Sequence, residues 1–94
     1  MGEDATATES NADREIEATY TEADGERRLT FVRDGRQATV AQNIDGYAMV
    51  AVRDERGERE RYYGFDMALD HAAELLGVEP HALPIPDEAA DMGM

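Results

Sequence analysis

The sequence predicts an α+β fold: an antiparallel meander of about five strands, followed by one C-terminal helix packed on one face of the sheet. Two observations predict it. Asp-Gly pairs at positions 24–25, 34–35 and 45–46 recur every ten or eleven residues, with Arg56-Gly57 as a fourth turn, and Asp-Gly suits the type I′ turn between antiparallel strands. After Gly64 the apolar spacing changes to the three-to-four-residue period of a helix.

The turns delimit five predicted strands, at residues 15–21, 26–33, 36–44, 47–53 and 58–63. Apolar residues alternate with polar ones in these segments, as at Leu29 and Phe31, which predicts a buried face. The fourth predicted strand is apolar on both faces, with Tyr47, Met49 and Ala51 on one side and Ala48, Val50 and Val52 on the other. Both faces of the sheet therefore need cover, either by closure towards a small barrel or by packing on a second copy of the chain.

A single apolar stripe predicts a helix of about three turns. Its members stand at i, i+4, i+7 and i+11 and are Phe65, Leu69, Ala72 and Leu76. Gly77 can adopt the left-handed conformation that ends a helix, and Pro80 prevents the helix from continuing. The next segment, Leu83-Pro84-Ile85-Pro86, is predicted to be extended because each residue before a proline avoids the helical region.

The charge distribution divides the chain into one domain and two flanks. Net charge is −7 over residues 1–24, −3 over residues 25–79 and −3 over residues 80–94. Most large apolar residues lie between Leu29 and Val78. We therefore predict a single domain at residues 15–86, an acidic flexible N-terminal flank at residues 1–14 and an acidic flexible tail at residues 87–94.

The composition indicates a halophilic protein. The chain has 22 Asp or Glu, nine Arg and no Lys, giving a net charge of −13 in 94 residues. At about 1 M salt the screening length falls to about 3 Å, so repulsion between surface carboxylates nearly disappears. The absence of cysteine excludes disulfides and thiolate metal sites, and no apolar run approaches the length of a membrane span. We expect a cytoplasmic protein without membrane contact.

These features are similar to those of small uncharacterised haloarchaeal proteins, domains of unknown function. The resemblance rests on the Asp-Gly-punctuated meander, on the lysine-free acidic ends and on Tyr62-Tyr63-Gly64-Phe65 with Asp66, Ala68 and Leu69. It implies no specific activity. From the residues we expect a non-enzymatic module that self-associates as a homodimer or contacts a protein partner through Val50, Val52, Leu83 and Ile85; a monomer is the alternative.

A metal-dependent or small-ligand enzyme is a second hypothesis. Its candidate residues form a carboxylate row on the predicted helix, joined by an imidazole: Asp66, Asp70, His71 and Glu74. Such oxygen and nitrogen ligands suit a divalent cation, but a site needs three or four that converge. No Gly-rich phosphate loop or nucleophile motif is present, so the sequence predicts no cofactor and no catalytic residue.

A nucleic-acid-binding accessory is a third hypothesis. Arginines cluster between Arg53 and Arg61, beside Tyr62 and Tyr63, and arginine with aromatic residues on a sheet is one way to hold a single strand. Glutamates interleave with these arginines, and a net charge of −13 gives no long-range attraction for phosphate. We therefore expect no nucleic-acid partner.

Overall fold

The computed structural model describes residues 6–12, 15–43, 50–54, 56, 59–62 and 64–93. Within these residues six antiparallel strands form one sheet in the sequential order β1-β2-β3-β4-β5-β6. The strands are β1 (Thr6–Asn11), β2 (Ile16–Ala23), β3 (Glu26–Arg33), β4 (Arg36–Asn43), β5 (Val50–Asp54) and β6 (Arg59–Tyr62). Helix α1 (Phe65–Leu76) follows, and two 3₁₀ helices, Pro80–Ala82 and Asp87–Gly93, end the chain. The predicted α+β meander with one helix is confirmed.

The first two Asp-Gly turns have the predicted conformation. Both of their residues take positive φ, 56° and 77° at Asp24 and Gly25, and 49° and 79° at Asp34 and Gly35. The strands they join are in register up to the turn, with Ala23 opposite Glu26 and Arg33 opposite Arg36. The predicted turn at Asp45-Gly46, the start of the fourth predicted strand at residues 47–49, and Gly57 lie outside the described residues.

Strand β1 lies where the sequence predicted a flexible flank. It pairs with β2 along its whole length, from Thr6 opposite Thr21 to Asn11 opposite Ile16. The prediction gave weight to the acidic charge of the first residues. The structure corrects it, because Thr-Ala-Thr is a strand-forming sequence that finds its hydrogen-bonding partners in β2.

Helix α1 packs on one face of the sheet, against β3, β4, β5 and β6. Its buried residues include three of the four predicted stripe positions, and the full set is Phe65, Ala68, Ala72, Ala73 and Leu76. Gly77 ends the helix with φ 74°, and the N–H of Val78 donates to the carbonyl of Ala73 at 3.0 Å. This is the left-handed cap that the sequence predicted. In the described part of the chain no helix has the length and apolar character needed to cross a membrane.

The C-terminal residues pack on the same face as α1, which corrects the predicted flexible tail at residues 87–94. Ala89 and Met92 are 0% and 1% exposed and belong to the core. Buried Gln42 donates from Nε2 to the carbonyl of Met92 at 2.8 Å. The hydrogen bond from the buried Gln42 amide and the burial of the Met92 side chain hold this segment in place. Both contacts join residues that are far apart in sequence.

Candidate functional site

The face of the sheet opposite α1, which we call the outer face, is polar. Strand alternation sends every second side chain there, while the apolar residues in between point to α1. Its described residues are Thr8, Ser10, Glu17, Thr19, Thr21, Glu26, Arg28, Thr30, Val32, Gln37, Thr39, Ala41, Asn43, Ala51 and Arg53.

A row of threonines crosses the centre of the outer face. Thr8 is in register with Thr19, Thr19 with Thr30, and Thr30 with Thr39, on four adjacent strands. The hydroxyl oxygens of Thr30 and Thr39 are 3.1 Å apart and hydrogen-bonded. Threonine is favoured here because it is β-branched and stiff at χ1, and its hydroxyl can remain hydrated. The row gives the outer face a centre of small polar side chains.

An ion pair centred on Glu26 lies beside this row, and Asp24 Oδ2 adjoins it at 3.5 Å from Arg28 Nη2. The Glu26 carboxylate accepts from Arg28 Nε at 2.9 Å and from Arg53 Nη2 at 3.1 Å. Burial of Glu26 raises the pKa of its carboxyl, but hydrogen bonds and charge from the two arginines outweigh burial and hold that pKa below its ordinary value. The hydrogen bond to Glu26 in turn raises the pKa of Arg28. Glu26 therefore stays ionised at neutral pH and is held by both arginines.

Ala41 lies directly beneath this ion pair. Register places Ala41 beside Arg28 on β3 and Ala51 on β5, one row from Glu26 and one row from Arg53. The contact between Glu26 and Arg53 therefore crosses β4 over Ala41, which is only 2% exposed although it is on the outer face. A larger side chain at this position would fill the space that the two ionic side chains use.

The outer face differs in charge from the rest of the chain. Among the described side chains on its strands it carries two arginines, Arg28 and Arg53. Two glutamates, Glu17 and Glu26, balance these two arginines, in a chain whose net charge is −13. Acidic repulsion is therefore weaker here than over the molecule as a whole.

The structure places the predicted contact residues in the core of the chain. Val50 and Val52 are each 1% exposed, and Leu83 is 6% exposed. Ile85 is partly buried and packs against the core. Val50 and Val52 occupy the positions of β5 that face α1, which corrects the prediction that they form an external contact surface. Tyr47 and Met49, on which the prediction of a second apolar face depended, lie outside the described residues.

The acidic row of α1 spreads along an exposed helix surface. Asp66, Asp70 and Glu74 are exposed, and His71 Nδ1 lies 3.4 Å from Glu74 Oε1, with Nε2 at 3.9 Å from Glu60 Oε1. A shallow groove of about 450 Å³ runs past Asp70, His71 and Glu74, with Met67, Val78 and Pro80 as its apolar part. Among the described residues, no group of three or more His, Asp or Glu is arranged to hold a metal ion.

The predicted arginine cluster is described only in part. Arg53 is engaged by Glu26. The backbone of Arg61 is in register with Ala51 and that of Tyr62 with Val50, and Tyr63 lies outside the described residues. The arginine and aromatic surface of the nucleic-acid hypothesis therefore stays a prediction.

Comparison with models of protein families shows which family the chain belongs to. A model described as a family of unknown function, DUF7111, matches residues 9–94. The chain belongs to DUF7111. The match begins within β1 and runs through the last 3₁₀ helix, so the DUF7111 unit includes the C-terminal segment that packs on the sheet. No curated protein and no solved structure matches the chain.

The sequence reasoning missed the outer face as a site. Its signal was present as threonines two residues apart, at Thr6 and Thr8 and again at Thr19 and Thr21. Such spacing puts both members of a pair on one face of a strand. Their register with Thr30 and Thr39 depends on strand pairing, which the turns determine.

Proposed function

We propose that this DUF7111 chain is a non-enzymatic interaction module and that the outer face is its contact surface. The observation that carries the proposal is charge: the side chains described on the strands of the outer face include two arginines, Arg28 and Arg53, and two glutamates, Glu17 and Glu26, within a chain of net charge −13. A macromolecular partner meets less like-charge repulsion on this face than an average part of the surface would give.

Shape and rigidity support the same proposal. Small-molecule sites are concave, whereas protein contacts use broad, even surfaces. The outer face is a continuous sheet surface whose centre consists of threonines. The hydrogen bond between Thr30 and Thr39, and the ion pair from Glu26 to Arg28 and Arg53, fix its side chains before a partner arrives. Less side-chain entropy is then lost on binding.

We further propose that the module works in a salt-rich cytoplasm. Its 22 acidic residues against nine arginines, with no lysine, support this setting, as do the exposed carboxylates of Asp66, Asp70 and Glu74 along one helix surface. Raising KCl from about 0.1 M to about 2 M shortens the screening length several-fold and should raise the unfolding midpoint. A midpoint that is unchanged or lower in high salt would contradict the halophilic assignment.

A pair of charge-matched variants tests the contact surface. Thr30→Glu adds one carboxylate to the centre of the outer face, and Met67→Glu adds one to the exposed surface of α1. In pull-downs at about 2 M KCl from the cells that produce the protein, we expect Thr30→Glu to lose the partners of the original chain and Met67→Glu to keep them. Equal binding by both variants would refute the proposal.

Folding controls keep this comparison interpretable. Thr30→Glu removes the hydroxyl that bonds to Thr39, so circular dichroism and the urea midpoint are measured for each variant. Thr19→Glu, in the same row on the neighbouring strand, is a second outer-face variant whose side chain is not part of that hydrogen bond. Loss of partners in both outer-face variants, at unchanged secondary structure, supports the outer face as the contact surface.

A further inference from the structure

We propose that the last 3₁₀ helix, Asp87–Gly93, is a salt-dependent strap: it opens away from the sheet while the strands and α1 stay folded, and high salt closes it. We call this segment the strap. It packs on the α1 side of the sheet, whereas the proposed contact surface is the opposite face, so the two proposals stand or fall separately. Three features support the strap: its few anchors, the fixed segment before it and its charge.

Few contacts hold the strap closed. Two of its side chains, Ala89 and Met92, are buried in the core. Two side chains of the sheet hold its main-chain carbonyls: Gln42 donates to Met92 at 2.8 Å, and Arg27 donates to Glu88 at 3.0 Å. By contrast, β3 pairs with both β2 and β4 along almost its whole length. Segments with few buried apolar contacts open at lower free energy than the core, so the strap should open before the central strands.

The chain just before the strap is fixed to the sheet, which determines where opening stops. Asn11 Nδ2 on β1 donates to the carbonyl of Ala82 at 2.7 Å, and the Leu83 and Pro86 side chains are buried. The carbonyl of Pro86 accepts from the N–H of Ala89 at 2.9 Å, and this hydrogen bond joins the strap to the fixed segment. The hinge therefore lies directly after Pro86, and the Ala89 N–H becomes free to exchange when the strap opens.

The charge of the strap favours opening in dilute buffer. The strap carries three acidic residues, Asp87, Glu88 and Asp91, and no basic residue, so −3 of the net −13 belongs to it and −10 to the rest of the chain. The screening length falls from about 10 Å at 0.1 M salt to about 3 Å at 1 M, which removes most of this repulsion. Hydrogen bonds at contact distance, such as those from Gln42 and Arg27, are screened much less. Salt therefore closes the strap.

Opening changes what the α1 side of the sheet presents. Arg27 and Gln42 lie opposite each other on β3 and β4, so the two donors that hold the strap are side by side. When the strap leaves, both lose their carbonyl acceptors in the strap, and the space that the Met92 side chain fills becomes accessible. A buried amide that has lost its acceptor is unfavourable, so the open state favours water or another carbonyl at Gln42. The strap thus controls access to an apolar space with adjacent hydrogen-bond donors.

Amide hydrogen exchange of the full chain, measured by NMR at about 2 M KCl, tests whether the strap opens separately. Relative to its intrinsic rate, the Ala89 N–H should exchange faster than the protected amides of β3. Its rate should also depend less on added urea, because opening the strap exposes less surface than unfolding the chain. Equal opening free energies and equal urea dependences for Ala89 and β3 would overturn the strap, since the segment would then open only with the whole fold.

Two variants distinguish strap opening from unfolding of the whole chain. Gly35→Ala strains the β3–β4 turn, where φ is 79°, at the end of the hairpin away from Arg27 and Gln42. It destabilises the closed and open states alike, so β3 amides should exchange about 5–30-fold faster while the Ala89 rate stays unchanged. Met92→Ala removes an anchor, so the Ala89 N–H should exchange about 30-fold faster or lose its protection altogether.

Either variant can overturn the strap. If Gly35→Ala accelerates the Ala89 N–H as much as it accelerates β3, the segment opens only with the whole fold. If Met92→Ala leaves the Ala89 rate unchanged, exchange occurs by local fraying with Met92 still in the core.

Exchange at different salt concentrations tests the control by charge. The protection of the Ala89 N–H should rise with KCl from the lowest concentration at which circular dichroism shows an intact fold to about 2 M. Glu88→Gln removes one of three charges from the strap, and Glu74→Gln, also at an exposed residue, removes one from α1. At low salt Glu88→Gln should raise the protection of Ala89 more than Glu74→Gln does, and at about 2 M KCl the two should agree. Protection that does not rise with KCl, or an equal response to both variants, would overturn the salt dependence of the strap.

Discussion

Two methionines in opposite environments test the packing of the C-terminal segment. Met92 is 1% exposed and belongs to the core, and Met67 is 53% exposed on α1. The perturbation is truncation of each one to alanine. Met92→Ala leaves the main-chain carbonyl that accepts the hydrogen bond from Gln42, so its effect reports side-chain burial alone.

The expected magnitude follows from burial. Replacing a buried methionine by alanine costs about 2–5 kcal/mol, through lost apolar burial and the cavity that remains. For Met92 we expect about 2–3 kcal/mol, in the lower part of that range. Met67→Ala removes an exposed side chain and should change the free energy of unfolding by less than about 0.5 kcal/mol.

Urea unfolding in molar KCl measures both effects, because urea is uncharged and leaves the ionic strength unchanged. With a urea dependence of about 1–1.5 kcal/mol per molar for a chain of this size, Met92→Ala should lower the midpoint by about 2 M. In a thermal scan the same loss is about 10–20 °C. A shift for Met92→Ala as small as that for Met67→Ala would refute the packed C-terminal segment.

Three further substitutions test the outer face and the helix cap. The pKa of the Glu26 carboxyl is lowered below the ordinary 4.5, so its stabilising effect is present above that pH and is lost as pH falls through the lower folded value. The free-energy cost of Glu26→Gln, about 1 kcal/mol at neutral pH, should therefore shrink in urea titrations as the pH is lowered below 4.5, and a cost that does not depend on pH would contradict this reasoning. Ala41→Leu displaces the ion pair above it and should lower the free energy of urea unfolding by about 1–2 kcal/mol. Ala51→Leu, in the same row, should lower it less. Equal losses would show that the ion pair does not constrain residue 41. Gly77→Ala forces a residue with a side chain to adopt φ 74° and should lower the free energy of thermal unfolding by about 1 kcal/mol. Gly64→Ala should be near neutral, because φ is −135° there and the new methyl group meets open space. Equal effects would argue against the left-handed cap.

Local signals predicted most of the fold. Each of the two described Asp-Gly turns needs two consecutive positive φ values, which few residue pairs accept, so the sequence determines where those strands end. The apolar spacing of the helix and its terminating residue, Gly77, are likewise local features of the sequence. Both ends of the chain were predicted less well. The strand at Thr6–Asn11 forms through its pairing with β2. The position of Met92 depends on a hydrogen bond from Gln42, which is distant in sequence.

The candidate site was predicted less well than the fold because alternation does not say which face a helix covers. Val50 and Val52 alternate with Ala51, and the larger side chains are the ones buried against α1. The outer face, by contrast, depends on register: Thr19 and Thr39 become members of one row only when β2, β3 and β4 are paired. Charge composition gave the excess of acid but not the pairing of Arg28 and Arg53 with Glu26.

The structure also explains why a chain without lysine retains arginine. Arg27 donates from Nε to the Tyr20 hydroxyl at 2.9 Å and from Nη2 to the carbonyl of Glu88 at 3.0 Å, while Tyr20 donates to Glu22 at 2.6 Å. Arg33 donates to the carbonyl of Leu76 at the end of α1 at 2.9 Å. These contacts join the sheet to the helix end and to the C-terminal segment.

A guanidinium offers several donors in a fixed plane, so one residue can reach a hydroxyl and a main-chain carbonyl at once, which a single ammonium does less well. The same property serves on the outer face, where Arg28 and Arg53 hold opposite oxygens of one carboxylate. Molar salt weakens exposed charge pairs but screens partly buried ones less. In this acidic chain the described arginines are therefore retained where the fold fixes them at several points: Arg27 and Arg33 join the sheet to other segments, and Arg28 and Arg53 bind Glu26 on the outer face.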